Sequence, residues 1–501
     1  MILADDLGYS DPGCFGGDLE TPNLDRLARG GLRFSQAYST ARCMPSRGAL
    51  LSGFYSQQSG LEQNRNARPA PWVRFLPQQL GPLGYRCYHS GKWHISATMP
   101  VAGAGFHHSY FLGDQDRFFS PARHHLDDQP LPQPKPDSGY YATSEIGARA
   151  RGWLDLHARE HAGDPFFLYM AFTSPHFPLQ ALAEDIERFR DKFLKGWDRV
   201  RDERWRRARR MGLVNCRPAK LEPETWPFWN VAQDDLARRI GEGEVGRAVP
   251  WESLNETQRR FQAMKMAIHA AMAYRMDVEI GKVLDRLGAM GALDNTLILF
   301  FSDNGASAEQ LIRADGHDPS AAPGSWRSHL CLGPGWSSAA NSPFRLHKSW
   351  IHEGGISSPT IAHWPAGIGA KGVIRHTPCH LIDVLPTFVD AAGGKPMGGE
   401  GAPAYPGRSL LPAFARDGAV RRDYLFFHHM DNRGLREGRW KAVSAGRVDG
   451  NRSAGVGEWE LYDLERDRGE TTNLAAKHPD RTRAMAARWE KLEAEFTGWR
   501  K

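Results

Sequence analysis

Three apolar runs along this chain are each closed by a polar cluster. Met1 to Ala4 ends at Asp5-Asp6, Phe166 to Phe172 at Ser174-Pro175-His176, and Thr296 to Phe301 at Asp303-Asn304-Gly305. An uninterrupted apolar run of this length predicts a strand covered on both faces, because a half-exposed strand would alternate apolar with polar residues. A fourth strand is expected from Tyr85 to Ser90, just ahead of Gly91-Lys92-Trp93-His94. Between the strands the period changes: from Thr257 to Leu287, Phe261, Met264, Ile268 and Ala271 form one helical stripe. Strands alternating with helices predict an α/β domain with a mostly parallel sheet flanked by helices. Ligands of such sheets bind beyond the carboxyl ends of the strands, which is where the polar clusters fall.

The pattern shifts after the Gly/Pro-rich run Gly393 to Gly407. Trp440 to Val443 and Glu458 to Tyr462 read as strands, and Pro479 to Phe496 as a helix. The expected division is a large domain over 1–395 and a smaller α+β unit over 405–501 with an antiparallel sheet and a terminal helix.

Composition narrows the field. The chain has 501 residues, 41% of them hydrophobic, enough for a sizeable core. A net charge of +6 suits an anionic substrate but is too mild to argue for nucleic acid. The six cysteines, at 14, 43, 87, 216, 331 and 379, show no zinc-ligand spacing and no disulfide framework. No apolar run approaches the ~20 residues of a membrane span. Met1-Ile2-Leu3-Ala4 reads as the last part of a strand, so residues upstream of it are expected. A periplasmic or secreted location follows if a signal peptide is among them, and a cytoplasmic one otherwise.

Two sets of residues carry chemistry. Asp5, Asp6, Asp303 and Asn304 place hard oxygen donors at two strand ends, a set suited to Ca²⁺ or Mg²⁺ rather than zinc. Either cluster alone would also read as a capped turn. In Ala41-Arg42-Cys43-Met44-Pro45-Ser46-Arg47-Gly48, Cys43 stands at a helix start. Proline costs nothing there, and the free backbone N–H groups favour an anion. Arg47, one turn on, adds a fixed positive charge on the same face.

Cys43-x-Pro45-Ser46-Arg47 followed by Leu50-Leu51-Ser52-Gly53 resembles the signature of the formylglycine-dependent type I sulfatases, and the resemblance spans nearly the full chain. Asp5-Asp6-Leu7-Gly8 and Ser302-Asp303-Asn304-Gly305 resemble that family's metal ligands. Gly91-Lys92-Trp93-His94, Pro175-His176-Phe177-Pro178 and Lys348 ahead of Glu353-Gly354-Gly355 resemble its sulfate-binding and proton-transfer segments. The resemblance implies an alkaline-phosphatase-like fold and hydrolysis of aryl or carbohydrate sulfate monoesters. It also implies that a formylglycine-generating or sulfatase-maturing enzyme converts Cys43 to an aldehyde whose hydrate is the nucleophile, with an oxygen on one Ca²⁺. Arg47, Lys92 and Lys348 would hold the sulfuryl oxygens, His176 would protonate the leaving oxygen, and His94 would take a proton during release of sulfate. Two competing readings are a phosphonate monoester or phosphodiester hydrolase of the same superfamily and a non-catalytic binder of sulfated glycans.

Two further segments invite a role. Glu187 to Arg210 is dense in arginine with Trp197 and Trp205 interspersed, as on a solvated helix face or beside an anionic glycan. His317 to Ser342 is Gly/Pro/Ser-rich and reads as a long loop walling the substrate pocket. Within it Trp326, His329 and Trp336 are candidates for stacking on a sugar or aryl ring.

Overall fold

The computed structural model describes residues 1–62, 67–95, 98–449 and 452–500. In chain order the elements used below are β1 (Ile2–Ala4), β2 (Leu32–Phe34), α1 (Cys43–Ser52), β3 (Arg86–Lys92), β4 (His108–Leu112), β5 (His124–Leu126), β6 (Gln129–Pro130), α2 (Ala142–Glu160), β7 (Phe166–Ala171), α3 (Trp197–Arg210), α4 (Glu256–Ala289), β8 (Ile298–Ser302), α5 (Gly333–Ala340), β9 (Thr360–His363), β10 (Val373–Arg375), β11 (Leu425–His429), β12 (Asn432–Glu437), β13 (Trp440–Asp449), β14 (Arg452–Asp463) and α6 (Pro479–Gly498).

The main sheet runs β10-β2-β9-β8-β1-β7-β3-β4-β5-β6. The pairs β8–β1, β1–β7, β7–β3 and β3–β4 are all parallel, and β9 runs antiparallel to both its neighbours. The mostly parallel sheet expected from the apolar runs is therefore present. Each run feeds two cores because successive side chains point to opposite faces. Leu168, Met170 and Phe300 join the core beneath α2 and α4, while Phe167, Tyr169, Leu299 and Phe301 join the core beneath α1.

Strand ends of the main sheet shift by a residue or two from expectation, while the C-terminal strands expected over Trp440 to Val443 and Glu458 to Tyr462 extend further, to Asp449 and back to Arg452. The strand expected over Tyr85 to Ser90 runs on to Lys92. The helix expected over Thr257 to Leu287 is α4, closed at its start by a reciprocal Asn255–Gln258 cap. It is no surface helix with one apolar stripe. Ala270, Ala271, Met272 and Ala273 are all buried in succession, because α4 is enclosed by neighbouring elements along its middle turns.

The C-terminal strands form a separate antiparallel sheet, β11-β12-β13-β14, with α6 packed on it through Met485, Trp489 and Phe496. A buried ion network joins this sheet to the short helix Glu353–Ile356 that precedes β9. Lys441 on β13 reaches Glu353 at 3.2 Å and Glu470 at 2.8 Å, Arg468 binds Glu353 at 2.9 Å, and Glu470 accepts the Glu353 N–H at 2.7 Å. Burial alone would raise the proton affinity of Glu353, but Lys441, Arg468 and Arg436 outweigh it and hold this carboxyl well below the usual carboxylate range. A depressed folded-state pKa stabilises the fold above the carboxyl's ordinary value of 4.5 and is lost as pH falls below it. Glu353→Gln is expected to cost about 3 kcal/mol at neutral pH, since it leaves buried cations short of a partner. Thermal melts of wild type and variant should converge progressively as the pH is lowered from about 4.5 toward about 2.

Two aromatic expectations are corrected here. Trp336 lies in α5, so the loop expected over His317 to Ser342 is interrupted by a helix. Its ring is fully buried, edge-on to Trp197 and Trp251, with Nε1–H donated to the Gln262 carbonyl at 2.7 Å. No sugar can stack there. Trp336→Ala should destabilise the protein by about 3–5 kcal/mol in denaturant melts, with no selective effect on glycan binding. The arginine-rich segment also divides. Trp197 and Arg204 of α3 are buried, Arg204 pairing with Asp11 and Asp18 at 2.7 Å each, while Arg206, Arg209 and Arg210 face solvent. Sequence composition cannot separate these because all are arginines on one helix; only their rotation about the helix axis differs.

Candidate active site

The carboxyl ends of β8, β1, β7 and β3 open side by side, and every catalytic or metal-binding residue expected from the sequence comes within this one region. β1 delivers Asp5 and Asp6, β8 delivers Asp303 and Asn304, the turn after β7 carries His176, and β3 ends on Lys92 with His94 two residues beyond. All but His94 are under 3% exposed. The start of α1 points its N-terminus at the same place. Its first residue is Cys43, so Pro45 is the third residue of the helix and not the first. No hydrogen bond is lost by this, because the first turn's N–H groups have no intrahelical partner. Ser46 folds back on Thr40, its Oγ accepting the Thr40 N–H at 3.1 Å, which closes the turn ahead of Cys43. Gly53 ends the helix with φ 75°, a conformation that favours glycine.

The charges are arranged in pairs. Arg47 donates from Nε and Nη2 to Asp303 Oδ2 at 3.0 and 2.9 Å, and from Nη1 to the Lys92 carbonyl at 3.0 Å. Lys92 Nζ lies 2.5 Å from Asp5 Oδ2, and Lys348 Nζ lies 2.7 and 2.9 Å from the two Asp6 oxygens. Three carboxylates thus face three fixed cations in a dry setting. Burial pushes the Asp303 carboxyl up, and neighbouring Asp5 adds to this, to about 7 against the pull of Arg47. Asp5 moves the other way, because Lys92, Arg47 and Lys348 together outweigh its burial.

The set fits a hard divalent cation. Cys43 Sγ and carboxylate oxygens of Asp5 and Asp303 lie within 4.8 Å of one another. Asp5 Oδ1 and Asn304 Oδ1 are buried oxygens with no hydrogen-bond partner. Buried polar atoms are otherwise almost always satisfied, and two orphaned oxygens beside three carboxylates are what an oxygen-ligated cation would satisfy.

The histidines are neutral in this setting. Burial, Lys348 and Lys92 push His176 well below the ordinary imidazole range; burial, Lys92 and Arg47 do the same to His94. The ring of His176 stacks on Phe177 at 4.1 Å, its Nδ1 is bonded to the Phe177 carbonyl, and its Nε2 faces Asp6 at 3.7 Å. His94 adopts φ 53° and leaves Nδ1 buried without a partner.

Several neighbours escaped the sequence analysis. Arg42 pairs with Glu309, hydrogen-bonds Ser349 Oγ at 2.9 Å and lies 4.2 Å over the Trp229 ring. His429, on β11 of the C-terminal sheet, feels Arg42 and Lys348, which with its burial lower its proton affinity. Arg313 stands over the Phe177 ring at 5.3 Å. None sits in a motif; only Arg42, as the residue before Cys43, had a positional signal. His329 is buried near Phe177, with centroids 6.4 Å apart, and Trp326 is 50% exposed.

Comparison with known proteins agrees with this geometry. The family model described as Sulfatase matches residues 1–394. An uncharacterized sulfatase of Schizosaccharomyces pombe is 30% identical over 99% of this chain and 93% of its own length. An arylsulfatase of Klebsiella aerogenes is 28% identical over 79% and 86%. Among solved structures, Ps i-CgsB in complex with k-i-k-neocarrahexaose superposes with a TM-score of 0.68 at 23% identity, covering 98% of this chain and 91% of that one. The phosphonate monoester hydrolase of Agrobacterium radiobacter shares the fold at a TM-score of 0.59 and 18% identity, over 99% and 95%. With the family model spanning the strand-end carboxylates, Cys43 and Lys348 alike, the chain belongs to the sulfatase family and is a sulfuric ester hydrolase.

Proposed function

We propose that this enzyme hydrolyses sulfate monoesters of aryl or carbohydrate alcohols with a nucleophile made from Cys43 by a formylglycine-generating or sulfatase-maturing enzyme. Asp5, Asp6, Asp303 and Asn304, with the oxygen that replaces Cys43 Sγ, would hold one divalent cation, Ca²⁺ or alternatively Mg²⁺. Formylglycine would supply a nucleophilic hydroxyl and the cation Lewis acidity toward sulfuryl oxygen. The observation that carries this reading is the position of Cys43 Sγ among the Asp5 and Asp303 oxygens, at the start of a helix and beside Arg47.

The remaining roles belong to the chain's own side chains. Arg47 holds Asp303 through two donors and so fixes the floor of the site. Lys92 and Lys348 rest on the carboxylates that would hold the cation, and with those oxygens committed to it the two ammonium groups would be available to an anionic ester. His176 keeps one proton on Nδ1 for the Phe177 carbonyl; Nε2 would first take up a second proton when an anionic ester binds, and the imidazolium so formed would deliver that proton to the leaving oxygen and return to neutral. An anion beside Lys348 and Lys92 offsets the charges that depress its proton affinity. His94, neutral and with a free Nδ1, is placed to accept a proton.

Tryptic digestion releases the peptide from Cys43 to Arg47. Conversion exchanges sulfur for oxygen and removes two hydrogens, and mass spectrometry of that peptide should show this. Fully active enzyme with unmodified Cys43 would sink the mechanism. Parallel turnover of p-nitrophenyl sulfate and a phenyl phosphonate monoester should favour the sulfate; the opposite order supports the phosphonate reading.

A further inference from the structure

The cations of the inner site and its neighbours Arg42 and Arg117 are each neutralised by carboxylates, and Arg313 is not. Arg47, Lys92 and Lys348 face Asp303, Asp5 and Asp6; Arg42 pairs with Glu309; Arg117 is held between Asp114 and Asp315 at 2.7 Å each. Among the described residues Arg313 has no carboxylate within 4.0 Å and no hydrogen bond from its guanidinium. It is half-buried, tethered by its backbone N–H to His329 Nε2 at 3.3 Å, and laid over Phe177. Phe177 in turn stacks on His176 and receives Lys348 Nζ at 5.7 Å. The free guanidinium is therefore one aromatic ring away from the proton donor.

A cavity of about 350 Å³ has Asp315, two residues on from Arg313, in its wall. Arg117, Phe119, Lys135, Gln180, Asp315 and the exposed Trp326 line this space. Gln180, four residues after His176, donates to the Trp326 carbonyl at 3.1 Å and accepts the Phe118 N–H at 3.0 Å, holding both walls. Asp116 links the two spaces: its carboxyl is buried on one side, feels both Arg313 and Lys92, and adjoins Arg117 in sequence. Arg313 is thus joined to Lys348 through the shared Phe177 ring and is two residues from Asp315 on the wall of this space, whose exposed indole suits a sugar ring.

We propose that Arg313 recognises a second anionic group, a sulfate or a carboxylate, on a carbohydrate substrate that extends from the sulfuryl site toward the Trp326 cavity. An unpaired, half-desolvated guanidinium offers a planar two-donor fork to such an oxyanion, and gains more from it than an exposed arginine would. The proposal rests on the sulfatase reading of the inner site and names the substrate class within it.

The test uses converted enzyme and p-nitrophenyl sulfate as reporter. Inhibition constants are measured for N-acetylglucosamine 6-sulfate, which carries one anion, for N-sulfoglucosamine 6-sulfate, and for a uronate-containing disaccharide 6-sulfate. Wild type is expected to bind at least one two-anion sugar about 10-fold or more tighter than the one-anion reference, the usual worth of a charge-assisted pair. Arg313→Gln should erase that ratio and Arg313→Lys retain part of it. Whichever of the two two-anion sugars loses its preference in Arg313→Gln identifies whether sulfate or carboxylate is read, and loss for both means that either oxyanion is accepted. A purely structural or long-range role would weaken one-anion and two-anion sugars alike, leaving the ratio intact; that result, or a wild type without preference, overturns the proposal. Failure of converted enzyme to cleave p-nitrophenyl sulfate sinks the sulfatase reading instead, and the same ratio is then read by isothermal titration.

Discussion

Cys43→Ala is expected to lower turnover of p-nitrophenyl sulfate by at least about four orders of magnitude, the scale seen when a covalent nucleophile is removed. The side chain is small and buried, at 3% exposure, in the first turn of α1. Its loss removes one sulfur atom from the packing and leaves Arg47, Lys92 and the strand-end carboxylates on their own partners. The melting temperature should therefore move little. Cys43→Ser tests the chemistry further. Serine restores a hydroxyl at nearly the same place but gives no aldehyde hydrate, which has two hydroxyls on one carbon. A serine variant with wild-type turnover would show that the proposed nucleophile is wrong, even though the site would stand.

Asp303→Asn carries the second large effect. Asp303 Oδ2 receives two donors from Arg47, and Asp303 is one of the carboxylates grouped around Cys43. The amide keeps the shape and removes the charge. Activity should fall by about 10²–10³-fold or more, because the group that anchors Arg47 and would help hold the cation is weakened at once. The cation response is the sharper readout. A ligand that binds only the folded protein stabilises it by about 4 kcal/mol at a thousand times its dissociation constant. Ca²⁺ added to chelator-treated wild type should raise the melting temperature, and the same addition to Asp303→Asn should raise it far less. An equal rise in both proteins would remove Asp303 from the cation site. In chelated protein the variant should be close to wild type, since asparagine relieves the like-charge contact with Asp5 while it loses part of Arg47.

The inner site was legible because its residues stand immediately beyond strands buried on both faces. Phe167 and Leu168 on β7, or Leu299 and Phe300 on β8, must be apolar in succession to fill two cores. A charged residue directly after such a run is pushed to the sheet's open end. That argument needs only local pattern, and it located Asp5, Asp6, His176, Asp303 and Asn304. Lys92 was placed beyond a strand and proved to be its last residue, a small error because strand ends are set by pairing with β7 and β4. Lys348 had no strand to mark it. It was reached through resemblance alone, and the structure brings it onto Asp6 across 342 positions of chain.

The aromatic residues show the opposite case. Trp326 and Trp336 stand ten residues apart in one Gly/Pro-rich stretch, yet one is half exposed beside a cavity and the other is enclosed by Trp197 and Trp251. Nothing local separates them, since the partners of Trp336 come from segments far off in the chain. Arg42, Arg313 and His429 likewise acquire meaning only from what stands across from each.

The sequence by itself determined the parallel sheet, the end of it that carries chemistry, and the residue types gathered there, because burial on two faces and hard-oxygen ligation each leave a mark in local order. Tertiary structure decided which charges are paired. Arg47, Lys92 and Lys348 are each neutralised by a carboxylate brought from a distant segment, while Arg313 is not. Pairing of charge depends on distances of a few ångströms between remote parts of the chain, and a one-dimensional pattern holds no record of them.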